Sequence, residues 1–227
     1  SNSFVDKLKS IKGSKIISDL IEIEKSTTLI IANEFFDAIP VNQYVKKGNY
    51  WYQRRVTLDV NNNFMFINSK EKYSGKIPFP KKIKEGYIFE YSQYAHLILQ
   101  ELCSYIKNFG GVFLIIDYPK DKNDNSGTLL AVSKHNKVDP FYLPGSTDLS
   151  IKPDFSFIKL IAKNNNCKVL GPFTQRYFLQ MLGIETRIEQ LINKNPKLEK
   201  EFTLQKKRLI ENDYMGEIFK VLIIMDK

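Results

Sequence analysis

Thr27-Thr28-Leu29-Ile30-Ile31-Ala32 runs into Asn33-Glu34-Phe35-Phe36-Asp37, and Val112-Phe113-Leu114-Ile115-Ile116 runs into Asp117-Tyr118. Each is a short apolar run closed by amide or acidic residues. Unbroken apolar runs of this length read as strands buried on both faces of a sheet, whereas a half-exposed strand alternates. Ahead of the second run, Tyr91 to Phe109 carries apolar residues at 91, 94, 95, 98, 102, 105, 106 and 109. That is helical spacing, and Gly110-Gly111 ends it. The same alternation continues downstream. Phe155 to Asn164 reads as a helix, Cys167 to Leu170 as a strand, Arg176 to Leu182, Ile184 to Asn193 and Lys197 to Ile210 as helices, and Phe219 to Met225 as a buried strand. Buried strands alternating with amphipathic helices predict an α/β fold with a largely parallel sheet.

One stretch breaks the alternation. Tyr50 to Val60 and Phe64 to Asn68 are rich in aromatic and β-branched residues and are separated by Asn61-Asn62-Asn63, which predicts a hairpin. The expected organisation is one domain over residues 1–227 with a β-rich insertion over 41–80.

The composition narrows the function. The chain has 227 residues, with 43% hydrophobic and 26% charged, the balance of a globular protein with a sizeable core. The longest apolar runs, Val112 to Ile116 and Val221 to Met225, are far short of the ~20 residues of a membrane span. Ser1 to Asp19 is polar and broken by lysines, so no signal peptide is expected there. Cys103 and Cys167 cannot make a disulfide framework and are expected as buried thiols in a reducing compartment. That compartment is expected to be the cytoplasm of a bacterium with an AT-rich genome. The net charge of +9 invites a nucleic-acid partner, but the basic residues are overwhelmingly scattered lysines. Arginine, whose fork reads bases and phosphates, stands only at 54, 55, 176, 187 and 208. No nucleic-acid partner is expected.

In sheets of this class ligands bind at the carboxyl ends of strands. Glu34, Asp37 and Asp117 stand there, and burying an unpaired charge is expensive. Each is therefore either a helix cap or a ligand contact. Two histidines and two distant cysteines give no metal-ligand spacing, so no metal is expected. No nucleophile elbow is present either.

Ala32-Asn33-Glu34-Phe35-Phe36-Asp37-Ala38-Ile39-Pro40, followed by Gln43, resembles the ANEFFDALP…Q segment of the MidA-like class I S-adenosylmethionine-dependent methyltransferases. Further segments match in order. Gly110-Gly111 through Asp117-Tyr118 is similar to the family's GG…DYG strand. Gly127-Thr128-Leu129, Ala131-Val132, His135 and Val138-Asp139-Pro140 are similar to GTLxAVxxHxxVDP. Gly145, Asp148-Leu149 and Asp154-Phe155 are similar to PGxxDLTxHVDF. Gly171-Pro172-Phe173-Thr174-Gln175 with Phe178-Leu179 and Leu182-Gly183-Ile184 is similar to GPxTQxxFLxxLGI. Arg208-Leu209-Ile210 and Met215 to Leu222 are similar to RL…MGELFKVL.

The resemblance implies part of a seven-stranded Rossmann-like sheet, S-adenosylmethionine as cofactor and a protein substrate. The family includes mitochondrial arginine methyltransferases that assist assembly of respiratory complex I, so a subunit of that complex is an implied partner. It implies substrate contacts at Asn33, Glu34, Phe35, Asp37, Asp117 and Tyr118, catalytic roles for Glu34 and His135, and a cofactor contact at Asn33. Two departures stand out. None of the 11 glycines forms a Gly-x-Gly turn, so the strands and loop that cradle the cofactor are expected to be missing and the match to cover only the family's C-terminal part. Pro119 replaces the glycine after Asp117-Tyr118, fixing φ and removing a donor. An incomplete sheet leaves an open edge, which predicts a homodimer or another edge contact. The competing expectation is a non-catalytic interaction or assembly module, with the hairpin of Tyr50 to Asn68 facing its partner.

Overall fold

A computed structural model describes residues 7–121 and 124–226. In chain order the strands are β1 (Thr28–Asn33), β2 (Asn42–Lys47), β3 (Tyr50–Leu58), β4 (Phe64–Asn68), β5 (Ile88–Tyr91), β6 (Gly111–Asp117), β7 (Leu130–Ser133), β8 (Asn136–Val138), β9 (Asp148–Ser150), β10 (Lys168–Thr174) and β11 (Lys220–Met225). The helices are α1 (Gln93–Phe109), α2 (Phe155–Asn164), α3 (Gln175–Met181), α4 (Ile184–Lys194), α5 (Glu199–Ile210) and α6 (Met215–Ile218).

The main sheet has the order β1-β6-β11-β10. β1 and β6 pair in parallel, with Thr28 opposite Gly111 and Asn33 opposite Ile116. β11 runs antiparallel to both β6 and β10. The mixed sheet corrects the largely parallel one expected. Four helices, α3 to α6, fill the connection from β10 to β11, and the chain re-enters the sheet at the end where β10 left it, with Lys220 opposite Thr174. Helical periodicity cannot report that direction.

Two features explain why β1 and β6 pair so closely. Ser92 caps α1 by accepting from the Ala95 N–H, and Gly110 stops the helix at φ 78°. Gly111 then starts β6 at φ 130°, where a Cβ would lie 2.1 Å from the Thr28 carbonyl oxygen. A side chain there would push the two strands apart. Behind the sheet, Leu99, Cys103 and Ile106 of α1 and Ile158, Ile161 and Ala162 of α2 pack on Phe113, Ile115, Leu222 and Ile224. Both cysteines are buried, as the sequence reading expects.

β1 departs from the expectation of a doubly buried strand. Its residues alternate, with Leu29 61% and Ile31 59% exposed. It is an edge strand whose second face carries no helix over its centre. An unbroken apolar run shows that a strand has two apolar faces, not that both are covered.

The second sheet, β4-β3-β2-β5, is antiparallel and reaches Tyr91, beyond the expected 41–80. The predicted hairpin forms β3 and β4, and the Asp59 side chain accepts from the N–H groups of Asn61 and Asn63 in its turn. Its own aromatic core has Trp51 stacked on Phe79 at 4.5 Å, with Phe89 and Tyr87 edge-on. The sole tryptophan is thus packing. Trp51→Ala is expected to cost about 3–5 kcal/mol, the usual range for a buried aromatic truncated to alanine. A chemical-denaturation midpoint would check it, and a change under 1 kcal/mol would contradict this packing role. A third sheet, β8-β7-β9, lies beside the first two.

Candidate functional site at the carboxyl ends of β1 and β6

Parallel pairing of β1 with β6 brings two loops together at one rim. After β1 the chain turns sharply. Glu34 sits at φ 47°, in the left-handed region that only a supported non-glycine residue adopts, and its N–H donates to the Ile116 carbonyl at 3.0 Å. That turn exposes Asn33, Glu34 and Phe35 and drives Phe36 into the core against Phe113. Asp37 follows, 8% exposed, in a turn with no helix behind it, so it caps nothing. Its main chain is held by the Ile151 N–H, which donates to the Asp37 carbonyl at 2.9 Å.

Asp117 ends β6 with no exposed surface. Its Oδ1 accepts from the Tyr118 N–H at 2.9 Å, and the backbone of Asp37 also donates to its carboxylate. The Tyr118 hydroxyl donates to Asp37 Oδ2 at 2.6 Å, and its ring stands edge-on to Phe219. Asp37 Oδ1 and Asp117 Oδ2 remain buried without a partner. Burial pushes the Asp117 carboxyl up to about 7, the neighbouring Asp37 charge adds to this, and Glu34 adds a smaller push. Burial, and then the hydrogen bond to Asp37, also raise the Tyr118 phenol above its ordinary range. Like charges this close do not both ionise freely. Near neutral pH Asp117 is therefore held partly protonated behind Asp37.

Asn33, Glu34, Phe35, Asp37, Asp117 and Tyr118 are therefore gathered at one rim, with Asp117 lying behind Asp37 rather than facing open space. His135 is not among them. It occupies the exposed two-residue turn of the β7–β8 hairpin at φ 64°. Ser150, which lies beside Tyr118, pairs with Leu130, and His135 stands five residues farther along, about 16 Å at strand rise. Two neighbouring residues are engaged within the fold. Asp154 caps α2 through the N–H groups of Ser156 and Phe157, and His96 hydrogen-bonds the Tyr91 hydroxyl against Phe157.

The reading of individual residues missed Thr128 and Glu90. Glu90 accepts from Gln43 Nε2, from the Thr128 N–H and from the Thr128 hydroxyl, tying the second sheet to the rim loop. The Gly127-Thr128 pair was the available signal. Among the described residues no three His, Cys, Asp or Glu side chains could hold a metal, and no helix is long and apolar enough to cross a membrane.

The described glycines provide no Gly-x-Gly turn after a strand. These residues alone therefore do not fit an entire nucleoside cofactor, and its only expected contact here is Asn33.

The chain is similar over most of its length to several known proteins. The chain is 29% identical over 231 residues to the mitochondrial protein arginine methyltransferase NDUFAF7 homologue of Caenorhabditis elegans, covering 99% of this chain and 54% of that protein. It is 29% identical to the zebrafish (Danio rerio) protein arginine methyltransferase NDUFAF7, covering 90% and 49%. The chain thus spans about half the length of these curated relatives. A Burkholderia thailandensis crystal structure bound to S-adenosyl-homocysteine superposes with a TM-score of 0.73 at 23% identity, over 91% of this chain and 55% of that one. That likeness concerns the fold, which is Rossmann-like. The family model for S-adenosyl-L-methionine-dependent methyltransferases matches residues 6–173. The chain belongs to that family, whose cofactor is S-adenosylmethionine.

Proposed function

We propose that the intact protein transfers a methyl group from S-adenosylmethionine to a protein arginine, and that the rim of Glu34 and Asp37 is the guanidinium seat. The observation that carries the reading is the acidic rim itself: a buried Asp37 with an unpartnered oxygen, flanked by an exposed Glu34 and backed by Asp117. A guanidinium has the donors and the charge that such a rim lacks, and carboxylates bind it through paired hydrogen bonds. The cofactor, when bound, supplies the electrophilic methyl group. This chain's residues do the rest.

Glu34, held by its turn, and Asp37, held by Tyr118, orient the planar guanidinium so that one nitrogen faces outward. Methylation of a guanidinium requires loss of a proton, and a carboxylate at the seat accepts it. Asp117, shifted to about 7, keeps a proton behind Asp37 without adding a third negative charge. Phe35, 43% exposed, is an apolar wall for the arginine methylenes. The family resemblance makes a respiratory complex I subunit the first acceptor to test. A eukaryotic host would place the protein in the mitochondrial matrix, and a bacterial one in the cytoplasm.

Glu34→Gln keeps size and hydrogen bonding but removes the charge. In the intact enzyme it is expected to lower kcat/KM about 10- to 150-fold, the loss of one charge-assisted pair of ~1.5–3 kcal/mol, with the melting temperature unchanged. Full activity in that variant would contradict the seat.

A further inference from the structure

A cavity of about 640 Å³ opens between the rim loop, the second sheet and the third sheet. Asp37 lines it at the rim, and Gln43, Arg54 and Phe66 line it on the second sheet. The two charged walls are opposite in sign. Arg54 is fixed as a binding group would be. Its guanidinium lies 3.9 Å above the Phe66 ring, and its Nη1 donates to Gln43 Oε1 at 3.2 Å. Gln43 is in turn held by Glu90 at 2.8 Å.

Glu90 is the nearest candidate counter-ion, yet its oxygens are engaged by Gln43 Nε2 and by the Thr128 N–H and hydroxyl. Arg54 makes no ion pair within 4.0 Å among the described residues. Burial lowers its pKa, and the charge of Glu90 opposes that only in part. The anchoring is built closely: a Cβ on Gly127, at φ 81°, would lie 3.1 Å from Gln43 Nε2 and 3.2 Å from Ile88. A stacked, oriented and unpaired guanidinium inside a cavity matches a carboxylate better than any other common peptide group.

We propose that this cavity selects protein substrates carrying an acidic residue beside the target arginine, with Arg54 binding that acidic side chain and Gln43 and Glu90 positioning Arg54. The inference rests on the arginine reading of the Asp37 rim. The cavity volume falls within the ~300–1,000 Å³ of small-ligand sites, room for the side chains of a short peptide segment.

The test uses fluorescein-labelled Gly-Gly-Arg-Gly-Gly peptides in which one glycine at a time is replaced by Asp or by Lys. Binding to the 227-residue chain is read by fluorescence anisotropy at elevated salt, which suppresses the general attraction of a basic protein for acidic peptides. At one or two positions Asp is expected to bind at least about 10-fold tighter than Lys. Arg54→Gln is expected to abolish the difference and Arg54→Glu to reverse it. Lys168→Glu, an exposed lysine on β10, is expected to leave it intact. No position preference, no peptide binding at all, or a preference that survives in both Arg54 variants would overturn the proposal. The same peptides offered to the intact enzyme separate the two readings. Methyl transfer indifferent to Asp or Lys overturns the acidic-neighbour selection alone. An Arg54-dependent binding preference without methyl transfer supports the cavity and sinks the transferase reading.

Discussion

Asp37→Asn in the intact enzyme is expected to lower kcat/KM by about two orders of magnitude, toward the upper end of the range expected for Glu34→Gln. The Asp37 carboxyl lines the cavity, and its burial strengthens whatever pairs with it. Losing a charge-assisted pair in that setting is worth ~3 kcal/mol, about 100-fold. Tyr118→Phe is the informative partner. It removes the hydroxyl that holds Asp37 Oδ2 at 2.6 Å but leaves the charge. It should cost about 10-fold or less, about one hydrogen bond of ~1 kcal/mol. Steady-state kinetics on both variants checks the order. Tyr118→Phe costing more than Asp37→Asn would contradict it.

The second large effect concerns stability. The folded chain holds the Asp117 proton more tightly than the unfolded chain, because its carboxyl is pushed from 3.8 up to about 7. The stabilisation linked to that proton is fully present below about pH 4 and is lost as pH rises toward 7. Three pH units correspond to roughly 4 kcal/mol. Asp117→Asn, a neutral isostere, should flatten that part of the profile and be more stable than the parent at pH 8 by up to this amount. Thermal melts of both proteins from pH 4 to 8 read the difference. Parallel curves would show that Asp117 is ionised without cost and that the proton reading is wrong.

What could be read from the sequence divides along physical lines. Local periodicity gave α1 to within two residues, because Ser92, Gly110 and the apolar stripe act within a single helix. It also located β6 and β11, whose residues are apolar on both faces. The direction of β11 and the edge position of β1 were not legible. Both depend on which strands lie alongside, and nothing in Leu29 or Ile31 encodes a neighbour. The site shows the same contrast. Glu34, Asp37 and Asp117 could be picked out because acids directly after apolar runs are costly unless used. The Tyr118–Asp37 bond joins residues 81 positions apart, and the Arg54–Gln43–Glu90 chain joins different strands of one sheet. Such pairs exist only once the fold has formed. His135 lies in the stretch similar to GTLxAVxxHxxVDP, and in the fold it stands in a left-handed hairpin turn that its sequence neighbours do not announce.

The central claim is that the acidic rim seats an arginine for methyl transfer. The most direct measurement incubates the intact protein with S-adenosylmethionine and a pair of acceptor peptides differing only by arginine or lysine at one position, and reads methylation by mass spectrometry. The account predicts a 14 Da increment on the arginine peptide, none on the lysine peptide, and loss of the signal in a Glu34→Gln/Asp37→Asn double variant that still folds. Methylation of lysine in preference to arginine, or undiminished transfer by the double variant, would contradict it.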